Sequence, residues 1–130
     1  MKYVFIFDDN IYSSFEDDFL DAIGQYSRYE KTDFSIFRSK YRRNALMIIE
    51  EELELAKAGE VVRVYAAGGD DILFDCLNAV VHYPNMELAV VPYETINDFL
   101  RIFGLQNYDS FRDIPTLVKA KTLPTDIIKW

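Results

Sequence analysis

The sequence predicts an α/β domain built on an open, mostly parallel sheet with helices on both faces. Three observations lead there. Short runs rich in β-branched and aromatic residues, Tyr3-Val4-Phe5-Ile6-Phe7 and Val61-Val62-Arg63-Val64-Tyr65 among them, are largely apolar, as strands covered on both sides are. Longer stretches between them repeat apolar residues every three or four positions, the period of a helix with one buried face. The two kinds alternate in the order βαβαβαβα with a last β.

Taken in order, the first strand is closed by Asp8-Asp9-Asn10. Ser13 and Glu16 have the spacing of a capping box, and Phe15, Phe19, Ala22, Ile23 and Tyr26 form one apolar helix face. Phe34, Ile36 and Phe37 mark a second strand. A helix is expected over 44–57, with Leu46, Ile49, Leu53 and Ala56 inward and Gly59 as its C-terminal cap. The Val61 strand runs through Ala66-Ala67-Gly68-Gly69 into a helix over 72–82. Asp70 or Asp71 is its expected N-cap, and its nearly all-round apolar character predicts deep burial. Tyr83-Pro84-Asn85 stops it, 87–91 reads as a fourth strand, and Pro92 breaks that strand. Thr95 or Asn97 caps a short helix ending at Gly104, a weaker helix spans 113–119, and 125–130 reads as a last strand. In such sheets ligands bind beyond the carboxyl ends of the strands. Asp8-Asp9, the glycine turn and the segment after Pro92 are therefore expected on one rim.

The 130 residues suit one domain, and half of them are hydrophobic, which argues against disorder. No apolar run approaches the roughly 20 residues that span a bilayer. A net charge of −8 lacks the basic surface a general nucleic-acid binder uses, so no nucleic-acid partner is expected. Glu16-Asp17-Asp18 and Glu50-Glu51-Glu52 read as solvated helix faces. Cys76 is the lone cysteine and is expected as a buried thiol, and a cytoplasmic setting fits that usage. Arg38, Lys40, Arg42 and Arg43 are the compact basic cluster, either a solvated loop or a holder of phosphate or an anionic head group near the same rim.

Gly68-Gly69-Asp70 follows a strand and opens a helix, where backbone N–H groups converge on an anion. The second motif is Pro92-Tyr93-Glu94-Thr95-Ile96-Asn97-Asp98-Phe99-Leu100-Arg101. Together they resemble the catalytic-domain signature of diacylglycerol and related lipid kinases, which carries Gly-Gly-Asp-Gly-Thr and Pro-Leu-Gly-Thr-Gly-Asn-Asp-Phe-Ala-Arg. Gly68, Gly69 and Asp70 match the first motif, and Pro92, Thr95, Asn97, Asp98, Phe99 and Arg101 the second. Leu73, Leu77 and Asn78 fit the helix after the turn, with Asp75 where a glutamate is usual.

The resemblance implies the Rossmann-like N-terminal domain of the diacylglycerol-kinase and NAD-kinase-like fold. It implies a nucleotide-binding domain over 1–124 and, at 125–130, a strand leading toward a C-terminal β-rich domain that completes the lipid site. The implied reaction moves the γ-phosphate of ATP to a lipid hydroxyl, with ATP and Mg2+ as cofactors and membrane lipid reached through the second domain. Asp70 is the implied catalytic residue; Gly68, Gly69, Asp70, Asp71, Thr95 and Asn97 are implied nucleotide contacts; Asp98 belongs to the implied metal network.

The departures carry chemistry too. Asp71 and Ile72 replace a glycine and a threonine of the first motif, Glu94 and Ile96 replace both glycines of the second, and Asp8-Asp9-Asn10-Ile11-Tyr12 stands where the family has Asn-Pro-x-Ser-Gly. Larger side chains and added carboxylates thus face the nucleotide, and the isolated domain is expected to bind Mg-ATP weakly. A degenerate, non-catalytic module of the same fold is the alternative. A receiver-like phosphoacceptor domain also shares the acidic pair after its first strand, but needs an aspartate closing its third strand.

Overall fold

The computed structural model describes residues 1–10, 16–92 and 114–119. Among these, the chain runs β1 (Lys2–Asp8), α1 (Glu16–Glu30), β2 (Phe34–Ser39), α2 (Asn44–Leu55), β3 (Val62–Gly68), α3 (Asp70–Val80), β4 (Met86–Pro92) and α4 (Ile114–Lys119). The Ser13 cap, the helix expected after Thr95 and the strand expected at 125–130 lie outside the described residues.

The four described strands form one all-parallel sheet in the order β2-β1-β3-β4. Parallel neighbours need long crossovers, and α1, α2 and α3 supply them. Alternation along β1 and β3 sends successive side chains to opposite faces. Val4, Ile6, Val62, Val64 and Ala66 pack against Ala45 and Ile49 of α2 and Ile72, Leu73, Cys76 and Ala79 of α3. Phe5, Phe7, Tyr65 and Ala67 pack against Phe19 and Ile23 of α1 and Ile114 and Leu117 of α4. Helices therefore cover both faces, as the sequence pattern requires.

Several local expectations are corrected. The β3 strand extends three residues past Tyr65 to Gly68, because Ala66 and Ala67 continue the pairing with β1. Gly69, rather than Asp70 or Asp71, is the N-cap of α3, and both acids lie inside the first turn, where the helix dipole favours them. The α2 helix ends at Leu55, short of 57, and its C-cap is Ala56 rather than Gly59; Gly59 instead takes φ +79° in the turn closed by the Glu60 N–H donating to the Lys57 carbonyl at 2.9 Å. Pro92 ends β4 from within, paired with Gly68. The α3 helix is buried on one side only: Asp71, Phe74 and Asn78 are exposed. Nor are the acidic runs wholly solvated. Glu16 and Glu52 are buried, paired with Arg38 and Lys2 respectively.

A polar latch fixes α4. Arg63 is buried within β3, donates from Nε to Glu87 Oε2 at 2.8 Å and from Nη1 to the carbonyls of Leu117 and Val118, both at 3.0 Å. The Tyr65 hydroxyl also donates to the Leu117 carbonyl at 2.9 Å. The last carbonyls of a helix lack partners within it, so these donors satisfy groups whose burial is otherwise unfavourable.

Candidate functional site at the carboxyl ends of the strands

All four strands point the same way, so Asp8, Ser39, Gly68 and Pro92 lie along one rim. There a cleft of about 550 Å³ opens between the β2–α2 loop and α3. Asp8 and Asn10 reach it from β1, Ser39, Tyr41, Arg42 and Arg43 from the end of β2 and the loop after it, and Asp71, Ile72, Phe74, Asp75 and Asn78 from α3. Its size is within the range of small-molecule sites.

The turn from β3 to α3 sets one wall. Gly68 has φ +153°, and a Cβ there would sit 2.8 Å from Asp8 Cβ and 2.9 Å from Ile72 Cγ2. Glycine is thus required by the close approach of the β1 and β3 ends. Asp8 itself is buried, and its Oδ1 accepts the Asn10 N–H at 2.9 Å. Gly69 has no side chain with which to cap α3, and the start of a helix is where backbone N–H groups can meet an anion. Asp71 is exposed beside them in the same cleft.

The other wall is the loop after β2. The Arg43 N–H donates to Asp75 Oδ2 at 3.1 Å, and the Lys40 N–H donates to Asn44 Oδ1 at 2.8 Å. Of the basic cluster, Arg38 turns away to the opposite side of the sheet, pairing with Glu16 and lying 5.7 Å from the centre of the Phe7 ring. Arg42 and Arg43 line the cleft.

The structure therefore brings together Gly68, Gly69 and Asp71, places Asp70 as the first residue of α3, and adds the two arginines. Thr95, Asn97 and Asp98 lie outside the described residues. Among the described residues no group of three histidines, cysteines or carboxylates is arranged to hold a metal ion. Burial raises the Cys76 thiol pKa far above its usual range and keeps it protonated, consistent with its packing role. The β3 strand ends on glycine, without the carboxylate a receiver domain needs at that point. Sequence reasoning passed over Tyr41, Phe74 and the clamp at Asp75. The signal is present in α3, where Asp71, Asp75 and Asn78 recur at spacings of four and three, a polar stripe on a nearly all-round apolar helix.

Comparison with known proteins agrees with this architecture. Over 79 residues the chain is 35% identical to a diacylglycerol kinase of Staphylococcus epidermidis, a match covering 60% of this chain and 25% of that protein. A probable lipid kinase, YegS-like, of Shewanella frigidimarina is 33% identical over 78 residues, covering 57% of this chain and 25% of that protein. These matches span only a quarter of each relative's length. The crystal structure of a diacylglycerol kinase from Bacillus anthracis superposes with a TM-score of 0.62 at 21% identity, over 88% of this chain and 38% of that one, a likeness of fold. No helix among the described residues is long and apolar enough to cross a membrane. The family model of the diacylglycerol kinase catalytic domain matches residues 3–130, and the chain belongs to that family.

Proposed function

We propose that this chain is the nucleotide-binding part of a lipid kinase that moves the γ-phosphate of ATP to a lipid hydroxyl. The observation that carries the reading is the cleft at the strand ends, where the uncapped start of α3 faces a loop bearing Arg42 and Arg43. The donor set fits a polyphosphate: backbone N–H groups at a helix start and guanidinium groups are both strong acceptors' partners. Asp70, by its place in the glycine motif, is the proposed catalytic residue, with Asp98 in the metal network and Thr95 and Asn97 as further nucleotide contacts. Bound Mg2+ would neutralise charge developing on the transferred phosphoryl group. Membrane lipid, reached through a second domain, is the proposed acceptor.

Asp71 opposes nucleotide in this reading. A carboxylate about 4 Å from a phosphate charge costs on the order of 4 kcal/mol at an effective dielectric of 20, and less where water screens it, as at this exposed position. Calorimetric titration with Mg-ATP is expected to show affinity weaker than micromolar, and Asp71→Gly to gain about tenfold. Low-micromolar binding by the unaltered chain would show that the turn is not obstructed. No gain in the variant would place the obstruction elsewhere. Asp71 also favours the second reading, a non-catalytic module of the same fold. Transfer of labelled phosphate from ATP to diacylglycerol by a protein carrying both domains separates the two.

A further inference from the structure

Among the described residues, Arg42 and Arg43 are the cations that line the cleft. Both are exposed in the cleft, and among the described residues neither forms an ion pair, although the chain carries a net charge of −8. The backbone beneath them is tightly specified. Arg43 sits at φ +68°, a region that residues with a Cβ seldom occupy. Three side chains hold loop 40–43 in that shape: Asn44 accepts the Lys40 N–H at 2.8 Å, Asp75 accepts the Arg43 N–H at 3.1 Å, and Asn10 Nδ2 donates to the Lys40 carbonyl at 3.5 Å. An unfavourable backbone angle kept in place by neighbours from the turn after β1, from α2 and from α3 is a recurrent property of ligand clamps. Tyr41 and Phe74, 56% and 47% exposed, add aromatic surface to the same cleft.

We propose that loop 40–43 is the anion-holding element of this cleft, that Arg42 and Arg43 take the phosphate oxygens of a nucleotide which the acid-bearing glycine turn repels, and that Asp75 is the positioning residue that sets the loop. This rests on the reading that the cleft takes a nucleotide, and it moves the phosphate contacts from the start of α3 to the opposite wall. Aromatic surface beside paired guanidinium groups matches a ligand with a flat base and a polyphosphate. Arg43 then serves twice, its backbone N–H tying the loop to α3 while its side chain faces ligand.

The test titrates the chain with sodium tripolyphosphate, ATP and adenosine, and cosediments it with vesicles containing phosphatidic acid. Tripolyphosphate and ATP are expected to bind with affinity that falls steeply with salt, and the vesicles to stay unbound. The double variant R42Q/R43G should lose at least about tenfold toward both anions while keeping its melting temperature, because glycine suits the Arg43 backbone angle. Asp75→Ala should lose anion affinity, whereas Asp75→Asn, whose amide oxygen still accepts the Arg43 N–H, should retain it. Anion binding by R42Q/R43G equal to that of the unaltered chain overturns this proposal and leaves the nucleotide reading standing. Failure of the unaltered chain to bind ATP or tripolyphosphate overturns both. Vesicle binding in place of tripolyphosphate binding overturns the nucleotide assignment and gives the arginines to a lipid head group.

Discussion

On one face of the sheet, Val4, Ile6, Val64 and Ala66 meet Ala45, Ile49, Leu73 and Cys76, an aliphatic layer filled by small and branched side chains. On the other, Phe5 stacks on Tyr65 with ring centres 4.4 Å apart and meets Phe19 and Phe34 edge-on at 5.9 and 5.5 Å. Aliphatic packing depends mainly on volume, whereas interlocked rings also depend on angle. The cleft belongs to the aliphatic side, between α3 and the loop before α2. The aromatic side holds α1 and α4 in fixed places and adds the buried hydrogen bonds of Arg63 and Tyr65. The motif residues around the cleft are thus separated by the sheet from the interlocked rings.

That contrast can be broken by deletion of one member at a time, read by chemical denaturation. Phe5→Ala, which removes the ring shared by Phe7, Phe19, Phe34 and Tyr65, is expected to lose about 4 kcal/mol. Arg63→Met should lose about 3 kcal/mol, since Glu87 and the Val118 carbonyl lose their donor and the Leu117 carbonyl keeps only the Tyr65 hydroxyl. Hydrogen exchange should then show residues 114–119 losing protection ahead of the sheet. Gly68→Ala should lose about 2 kcal/mol, because the added Cβ meets Asp8 and Ile72 and the backbone angle disfavours it. It would show that the aliphatic side accepts less volume more readily than more. Ile6→Val, the mild counterpart of the Phe5 change, should lose about 1 kcal/mol. An equal loss from Ile6→Val and Phe5→Ala would dissolve the distinction between the layers.

The smallest expected effect is in pH. Burial pushes the Tyr65 hydroxyl up to about 12, against some lowering by Arg63. The fold prefers the neutral phenol, so this contribution to stability is complete below about pH 10 and is lost as pH rises toward 12. Tyr65→Phe should flatten the alkaline fall in melting temperature. A residual slope is expected from Tyr26 and Tyr83, both raised chiefly by desolvation and next by Glu30 and Glu50 respectively. An unchanged slope would mean that Tyr65 ionises freely in the fold.

The fold class was legible because it depends on local pattern: unbroken runs of β-branched and aromatic residues along β1 and β3, and a period of 3 to 4 along the helices. The rim followed from the parallel order. The N-cap of α3 was misplaced since a capping acid and a first-turn acid look alike in sequence; which one results depends on where β3 ends, and that is set by pairing of Ala66 and Ala67 with β1. Burial of Glu16 and Glu52 depends on Arg38 and Lys2, distant in sequence, and so had no local signal. Gly68 was legible as a turn glycine, but its reason, the approach of Asp8, appears only when β1 and β3 are side by side.

The position of β1 between β2 and β3 also bears on how the chain reaches this state. Register joins Lys2 to Val62, so the second flank of β1 comes roughly 60 residues after the first strand itself, a long-range pairing of the kind that slows folding. Until β3 arrives, Val4-Phe5-Ile6-Phe7 presents an uncharged, β-prone edge to other chains. A nascent or truncated chain ending short of Gly68 should therefore depend on a chaperone or aggregate, and the yield of refolding should fall as protein concentration rises.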